Sequence, residues 1–361
     1  MILTGVSASS KPIGLLDALT PVKITPRAKG DSATVASSVA PQPINTALIE
    51  LAATLPSLVR LGSSSWNYPG WKGLVWDGDY PQSQLSRQGL PAYARHPLFR
   101  TVSLDRAFYR PLTASQYTAY AAQVNDDFRF VVKAPACVTD AAVRDEKGRA
   151  VQENPAFLNP EIALQAFVQP ALQGLQHKLG VLVFQISPLP SGLHARIPEL
   201  LQKLATMLQA LPSLATQAPD AVMAVEVRDP VWLTPEFAHV LRQSGATYCL
   251  GLHAKMPPIE GQLPLLRALW PGPLVCRWNL HRLHGIHGYE DAVKLYAPYD
   301  KLVNVDLQTR ATLAKVIDAT ANAGHQAYVT ISNEAEGCAP LTVAALAAEM
   351  RARAIRPSGN V

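Results

Sequence analysis

Apolar positions recur along this chain in short, nearly continuous runs, each followed by a longer stretch in which they return at every third or fourth residue. The short runs fall at 59–63, 101–104, 128–134, 180–186, 221–227, 247–252, 274–279 and 326–332. Their brevity and their content of Val, Ile, Phe and Tyr read as strands. The longer stretches, at 113–124, 161–178, 197–211, 235–243, 289–296, 309–323 and 341–353, carry the spacing of amphipathic helices. Thr234 and Pro235 open one of these as cap and first residue, while Gly245 and Gly324 close theirs. Strands without polar alternation are buried on both faces, which a parallel sheet covered by helices provides. Eight such runs predict an α/β protein with a TIM (β/α)8 barrel. The alternative is a doubly wound open sheet, against which stands the lack of a glycine-rich phosphate loop after the first strand.

Composition narrows the class. Of 361 residues, 48% are apolar and 16% charged, which suits a core-forming globular chain. Residues 1–57 are rich in Ala, Ser, Thr and Pro without a sustained period and predict an N-terminal extension; the barrel domain is expected over 58–355, with a tail at 356–361. No apolar run approaches the roughly 18 residues of a membrane span, and the N-terminus lacks a basic start followed by an apolar core. A cytoplasmic protein with no membrane partner is the expectation. The four cysteines stand singly, without CxxC or zinc-finger spacing, and read as reduced, inert thiols. A net charge of +5 favours anionic partners mildly. No run of consecutive Lys or Arg marks a nucleic-acid arm.

Barrel chemistry sits at the carboxyl ends of the strands, so the candidate residues can be read from where each run stops. The fifth run, within AVMAVEVRDPVW, ends in Glu226 and Arg228, which share one face under the two-residue period of a strand. An ion pair closing the sheet and a functional acid and base are both open readings. Around them the other runs bring Trp66, Asp105, Tyr109, Lys133, Gln185, His253, Arg277, Asn279, Ser332 and Asn333. Lys133, Arg228 and Arg277, backed by amides and hydroxyls, suit a phosphate or carboxylate held by charge-assisted hydrogen bonds. Trp66, Tyr68, Trp71, Phe108, Tyr109 and Trp232 either stack a ligand ring or plug the mouth. His281, His284 and His287 have a spacing that invites a metal, but Gly285 and Gly288 break any helix there, and neither metal nor cofactor is expected. The connection 135–160 is long for a barrel and is either a lid or a surface insertion.

The segments LGSSSWNYPGWKG, AFYRP, FRFVVKAP, LGVLVFQISP, VEVRDPVW and AYVTISNEAEGCAPLTVAAL, in that order over roughly 60–348, resemble the YecE-like family, domain of unknown function 72. The resemblance implies a TIM barrel with a polar cavity at the strand ends and an activity that has not been established. The family's signature falls on Gly62, Ser65, Trp66, Tyr68 and Trp71, then on Phe108, Tyr109 and Arg110, Lys133, Gln185, Glu226, Arg228 and Trp232. The chain departs from the pattern at Ser103 and Asp105, where a glutamate and an asparagine are usual, and at Ser332, where the first of two asparagines stands before Asn333. For the family's Arg-x-His-Gly there are two candidates, Arg277 with Asn279 and Arg282 with His284 and Gly285.

Two functions from different classes fit these residues. In the first, Arg228, Arg277 and Lys133 hold a small anionic ligand while Glu226, and with it Lys133, does catalytic work in a hydrolase or lyase. In the second, the protein is a non-catalytic binder of nucleotide or nucleic acid using the same cations and rings.

Overall fold

Eight parallel strands close on themselves because each reads as apolar on both faces: one face fills the bore and the other meets the helices. The computed structural model describes residues 38–43, 45–145, 148–285 and 288–355. The strands are β1 (Val59–Ser63), β2 (Thr101–Leu104), β3 (Arg129–Lys133), β4 (Ala142–Arg144), β5 (Ala150–Glu153), β6 (Leu179–Gln185), β7 (Val222–Glu226), β8 (Thr247–Leu252), β9 (Leu274–Trp278) and β10 (Ala327–Ile331). The barrel runs β1-β10-β9-β8-β7-β6-β3-β2, and β4 and β5 form a separate antiparallel hairpin. All eight barrel strands lie within one residue of the positions read from the sequence.

Alternate residues of the strands point into the bore. Val131, Val181, Val183, Ala224, Cys249, Val275 and Tyr328 pack there as one buried cluster. Below them, at the amino ends of the strands, Arg129 pairs with Asp220 at 2.7 Å and Arg60 binds the backbone oxygen of Asp127. Above them the same parity brings polar side chains to the mouth. The larger core lies outside the barrel, between strands and helices.

The helices follow the predicted positions with instructive exceptions. Thr234 does cap Pro235–Gln243, accepting from the Phe237 amide, and Gly245 and Gly324 take positive φ just beyond their helices. The predicted helix at 161–178 is interrupted by a π turn at Leu164–Val168. Pro170 follows at once and lacks the N–H that would continue the regular ladder. Helix Ile259–Ala268, absent from the sequence reading, carries Pro264 inside it. Helix Thr46–Ala53, in the stretch assigned to the extension, is capped by Asn45 and buries Leu51 and Ala52. Within 135–160 the described residues form a short helix, Ala136–Thr139, and the two strands of the β4–β5 pair, tied back by Arg144 to Asp140 at 2.7 Å. The predicted segments 1–37 and 356–361 lie outside the described residues. No helix among those described is long and apolar enough to cross a membrane.

Candidate functional site

The carboxyl ends of β2, β3, β6, β7 and β9 bring Asp105, Lys133, Gln185, Glu226, Arg228, Arg277 and Asn279 into one network. Glu226 is its centre. Fully buried, it accepts from Arg277 at 2.7 Å, pairs with Arg228 at 2.8 Å and takes a longer bond from Asn279 Nδ2 at 3.3 Å. Gly251, on the neighbouring strand, leaves the space this carboxylate occupies: a Cβ there would lie 3.3 Å from Glu226 Oε1. Gln185 Oε1 receives both arginines, at 2.9 Å from Arg228 and 3.0 Å from Arg277. Asp105 accepts from Arg277 Nη2 at 2.6 Å and from Ser103 Oγ.

Electrostatics assigns different states to these groups. Burial alone would raise the Glu226 carboxyl, but Arg228 and Arg277 outweigh it and hold the group below its ordinary value. Asp105 is lowered in the same way: burial opposes, and Arg277 and Lys133 prevail. Both stay ionised at neutral pH. Glu226, expected from the sequence to move a proton, is thus locked as an anion under two guanidinium groups and is poorly suited to that role.

Lys133 differs. It is 9% exposed, its ammonium lies 3.7 Å above the Phe108 ring, and among the described residues it makes no hydrogen bond or ion pair. Burial brings its pKa down to about 8, an effect that Asp105 only partly offsets. Below pH 8 the folded protein must hold this charge. Between about 8 and the ordinary 10.5 the unfolded chain binds a proton that the folded chain sheds, so this group's contribution to stability rises with pH there. Lys133→Met is therefore expected to unfold in urea with about 1–3 kcal/mol more stability than the parent near pH 7, with the gap narrowing toward about pH 9.5. A variant less stable at neutral pH would mean that Asp105 and Phe108 make the ammonium net stabilising.

Other candidate residues are placed differently. Tyr109 stands exposed at the rim, near enough for Asp105 to raise its phenol beyond the effect of burial. Trp66, expected to face a ligand, is buried against Tyr120 with its indole N–H on the Leu85 carbonyl. Asn333, also expected there, is fully buried; its Oδ1 accepts from Trp71 and from the Ala339 amide that begins the last helix. Both residues are held by the scaffold; for Asn333, its neighbours Ser332 and Glu334 take the mouth-facing positions. Burial drops the His253 pKa to about 4, so it is neutral at pH 7. His284 bonds the Tyr296 hydroxyl at 2.6 Å, His281 accepts from the Leu283 amide, and His287 lies outside the described residues. Among those described, no group of three or more His, Cys, Asp or Glu is arranged to hold a metal ion.

The sequence reading missed residues on the β1 and β10 side of the mouth. There Glu334 accepts from Ser332 Oγ and from the Tyr299 hydroxyl at 3.1 Å. Burial raises the Tyr68 and Tyr289 phenols, and the nearby Glu334 carboxylate raises them further. Glu334 shares the parity of Ser332 along the strand exit, a signal that was available; Tyr289 opens the helix Tyr289–Tyr296 and Tyr299 follows it, away from any strand end, and they gave none. A separate groove of about 200 Å³, lined by Leu266, Trp270, Leu274 and Val316 among others, opens at the opposite ends of β8 and β9. It is largely apolar and holds none of the network.

Two solved structures share the fold. A DUF72 family protein of Thermotoga maritima is 19% identical, with 81% of this chain and 99% of that one covered at a TM-score of 0.51. Another, from Enterococcus faecalis, is 16% identical, with 81% and 95% covered at 0.50. No curated protein matches the chain. The profile described as "Protein of unknown function DUF72" matches residues 60–360, which takes in every barrel strand but the first residue of β1 and nearly all of the mouth's surroundings. On that match the chain belongs to the DUF72 family.

Proposed function

We propose that the barrel mouth binds a small molecule bearing a phosphate or carboxylate, and that Lys133 transfers a proton in a hydrolase- or lyase-type reaction on it. The observation that carries this reading is the uneven pairing of the network. Three cations face two carboxylates; Arg228 Nη1 is buried without a hydrogen-bond partner among the described residues, and the Lys133 ammonium, set over the Phe108 ring, makes no hydrogen bond or ion pair among them. A buried donor left unmatched is costly, and an anion seated beside Arg228 and Lys133 would satisfy both. Lys133 suits proton transfer because its pKa of about 8 lies near working pH. The near-complete burial of Arg228 and Arg277 fits a small ligand better than a nucleic-acid backbone, which needs cations spread over exposed surface.

Calorimetry with inorganic phosphate tests the reading. The parent protein is expected to bind with a dissociation constant of roughly 1 mM or tighter, and Arg228→Gln to weaken binding by about tenfold or more. Affinity should fall as pH rises through about 8, since the Lys133 ammonium is then lost. Absence of phosphate binding to the parent at any pH between about 6 and 8 would overturn the proposal.

A further inference from the structure

Four carboxylates among the described residues are buried: Asp140, Glu226, Glu334 and Glu336. Three have guanidinium partners. Asp140 takes Arg144 at 2.7 Å, Glu336 takes Arg310 at 2.7 Å, and Glu226 takes Arg228 and Arg277. Glu334, 5% exposed, has only hydroxyls: Ser332 and Tyr299 donate to it, and no Lys, Arg or His among the described residues forms an ion pair with it. Buried charges are ordinarily paired, because neutral donors recover only part of the solvation lost.

The surroundings of Glu334 suit a cation. The Tyr68 and Tyr299 rings meet edge to face with centroids 5.4 Å apart, and Tyr289, itself exposed, opens the helix Tyr289–Tyr296 that packs against the turn Asn333–Ala335. Phenol faces are negative, so rings beside a carboxylate favour an ammonium over a neutral group. The two halves of the mouth also adjoin. The Ser332 amide donates to the Trp278 carbonyl and the His281 amide to the Glu334 carbonyl, both at 2.8 Å, which sets Glu334 beside the exit of β9, the strand that carries Arg277.

We infer that the mouth takes a zwitterionic ligand: its anion lies at Arg228 and Lys133, and its primary ammonium is received by Glu334 among Tyr68, Tyr289 and Tyr299. The substrate class is then a small amine carrying a phosphate or carboxylate. This rests on the anion-binding reading above.

The test compares matched pairs of probes on the full chain by calorimetry: phosphoethanolamine against ethyl phosphate, and γ-aminobutyrate against butyrate. In at least one pair the amine is expected to bind about tenfold more tightly. Glu334→Gln should abolish that difference while leaving the affinity for the amine-free probe within about twofold. Gln can still accept from Tyr299, and near-UV circular dichroism checks that the variant is folded. The probe pairs decide the matter even if it is not. Equal affinities within both pairs would overturn this inference and leave the anion-binding reading standing; no binding of any probe would overturn both. A preference for the amine that persists in folded Glu334→Gln would also overturn it.

Discussion

Glu226→Gln is expected to cost about 3–5 kcal/mol of stability, the loss usual when one partner of a buried ion pair is removed. The carboxylate is fully enclosed and takes two guanidinium groups at 2.7 and 2.8 Å. An amide cannot accept from both without turning its NH2 toward one of them. Three cations would then face Asp105 alone, with Arg277 only 2% exposed and unable to recover its charge's solvation from water. Gln185 accepts from both arginines but carries no charge, so it cannot restore the balance. Thermal melting near pH 7 should fall by on the order of 10 °C. A shift of less than about 2 °C would mean that the carboxylate is not a keystone of the barrel end and that its place in the network serves the ligand instead.

Gly62→Ala should be as damaging, for a steric reason. A Cβ at this position would lie 1.8 Å from the Thr101 carbonyl oxygen and 3.0 Å from its Cγ2. The obstacle is backbone, and Gly62 and Thr101 are register partners in β1 and β2. Relief requires these two strands to part, and in a closed sheet that displacement passes to every neighbour. A loss exceeding about 3 kcal/mol is expected, read as insoluble expression or as a melting temperature lowered by on the order of 10 °C. A soluble variant melting with the parent would show that the β1–β2 contact can widen freely.

Much of this architecture could be read from the chain because barrel strands are buried on both faces, so each is a continuous apolar run with sharp ends. Helices were less legible where proline intervened. Pro264 lies within Ile259–Ala268 and disguises it, and Thr46–Ala53 stands in a background of Ser, Pro and Ala that suggests a linker. For the mouth, strand parity was enough to bring together Asp105, Lys133, Gln185, Glu226, Arg228, Arg277 and Asn279. It failed where adjacency was taken for orientation. Ser332 faces the bore and Asn333 is turned into the scaffold, while Glu334 returns to the mouth. Which cation neutralises which acid could not be read, since that depends on distances between strands far apart in sequence. The pairing nonetheless decides the chemistry, leaving Glu226 fixed as an anion and Lys133 free of a counter-ion.

The packed bore has a further consequence. With Val131, Val183, Ala224, Cys249, Val275 and Tyr328 filling it between two charged ends, the barrel is a cup with a solid floor. Under the proposed binding role, whatever enters must leave by the same door. The underside, held by Arg60, Arg129 and Asp220, is insulated from that traffic, and an attachment or graft made there should leave the vessel's contents undisturbed.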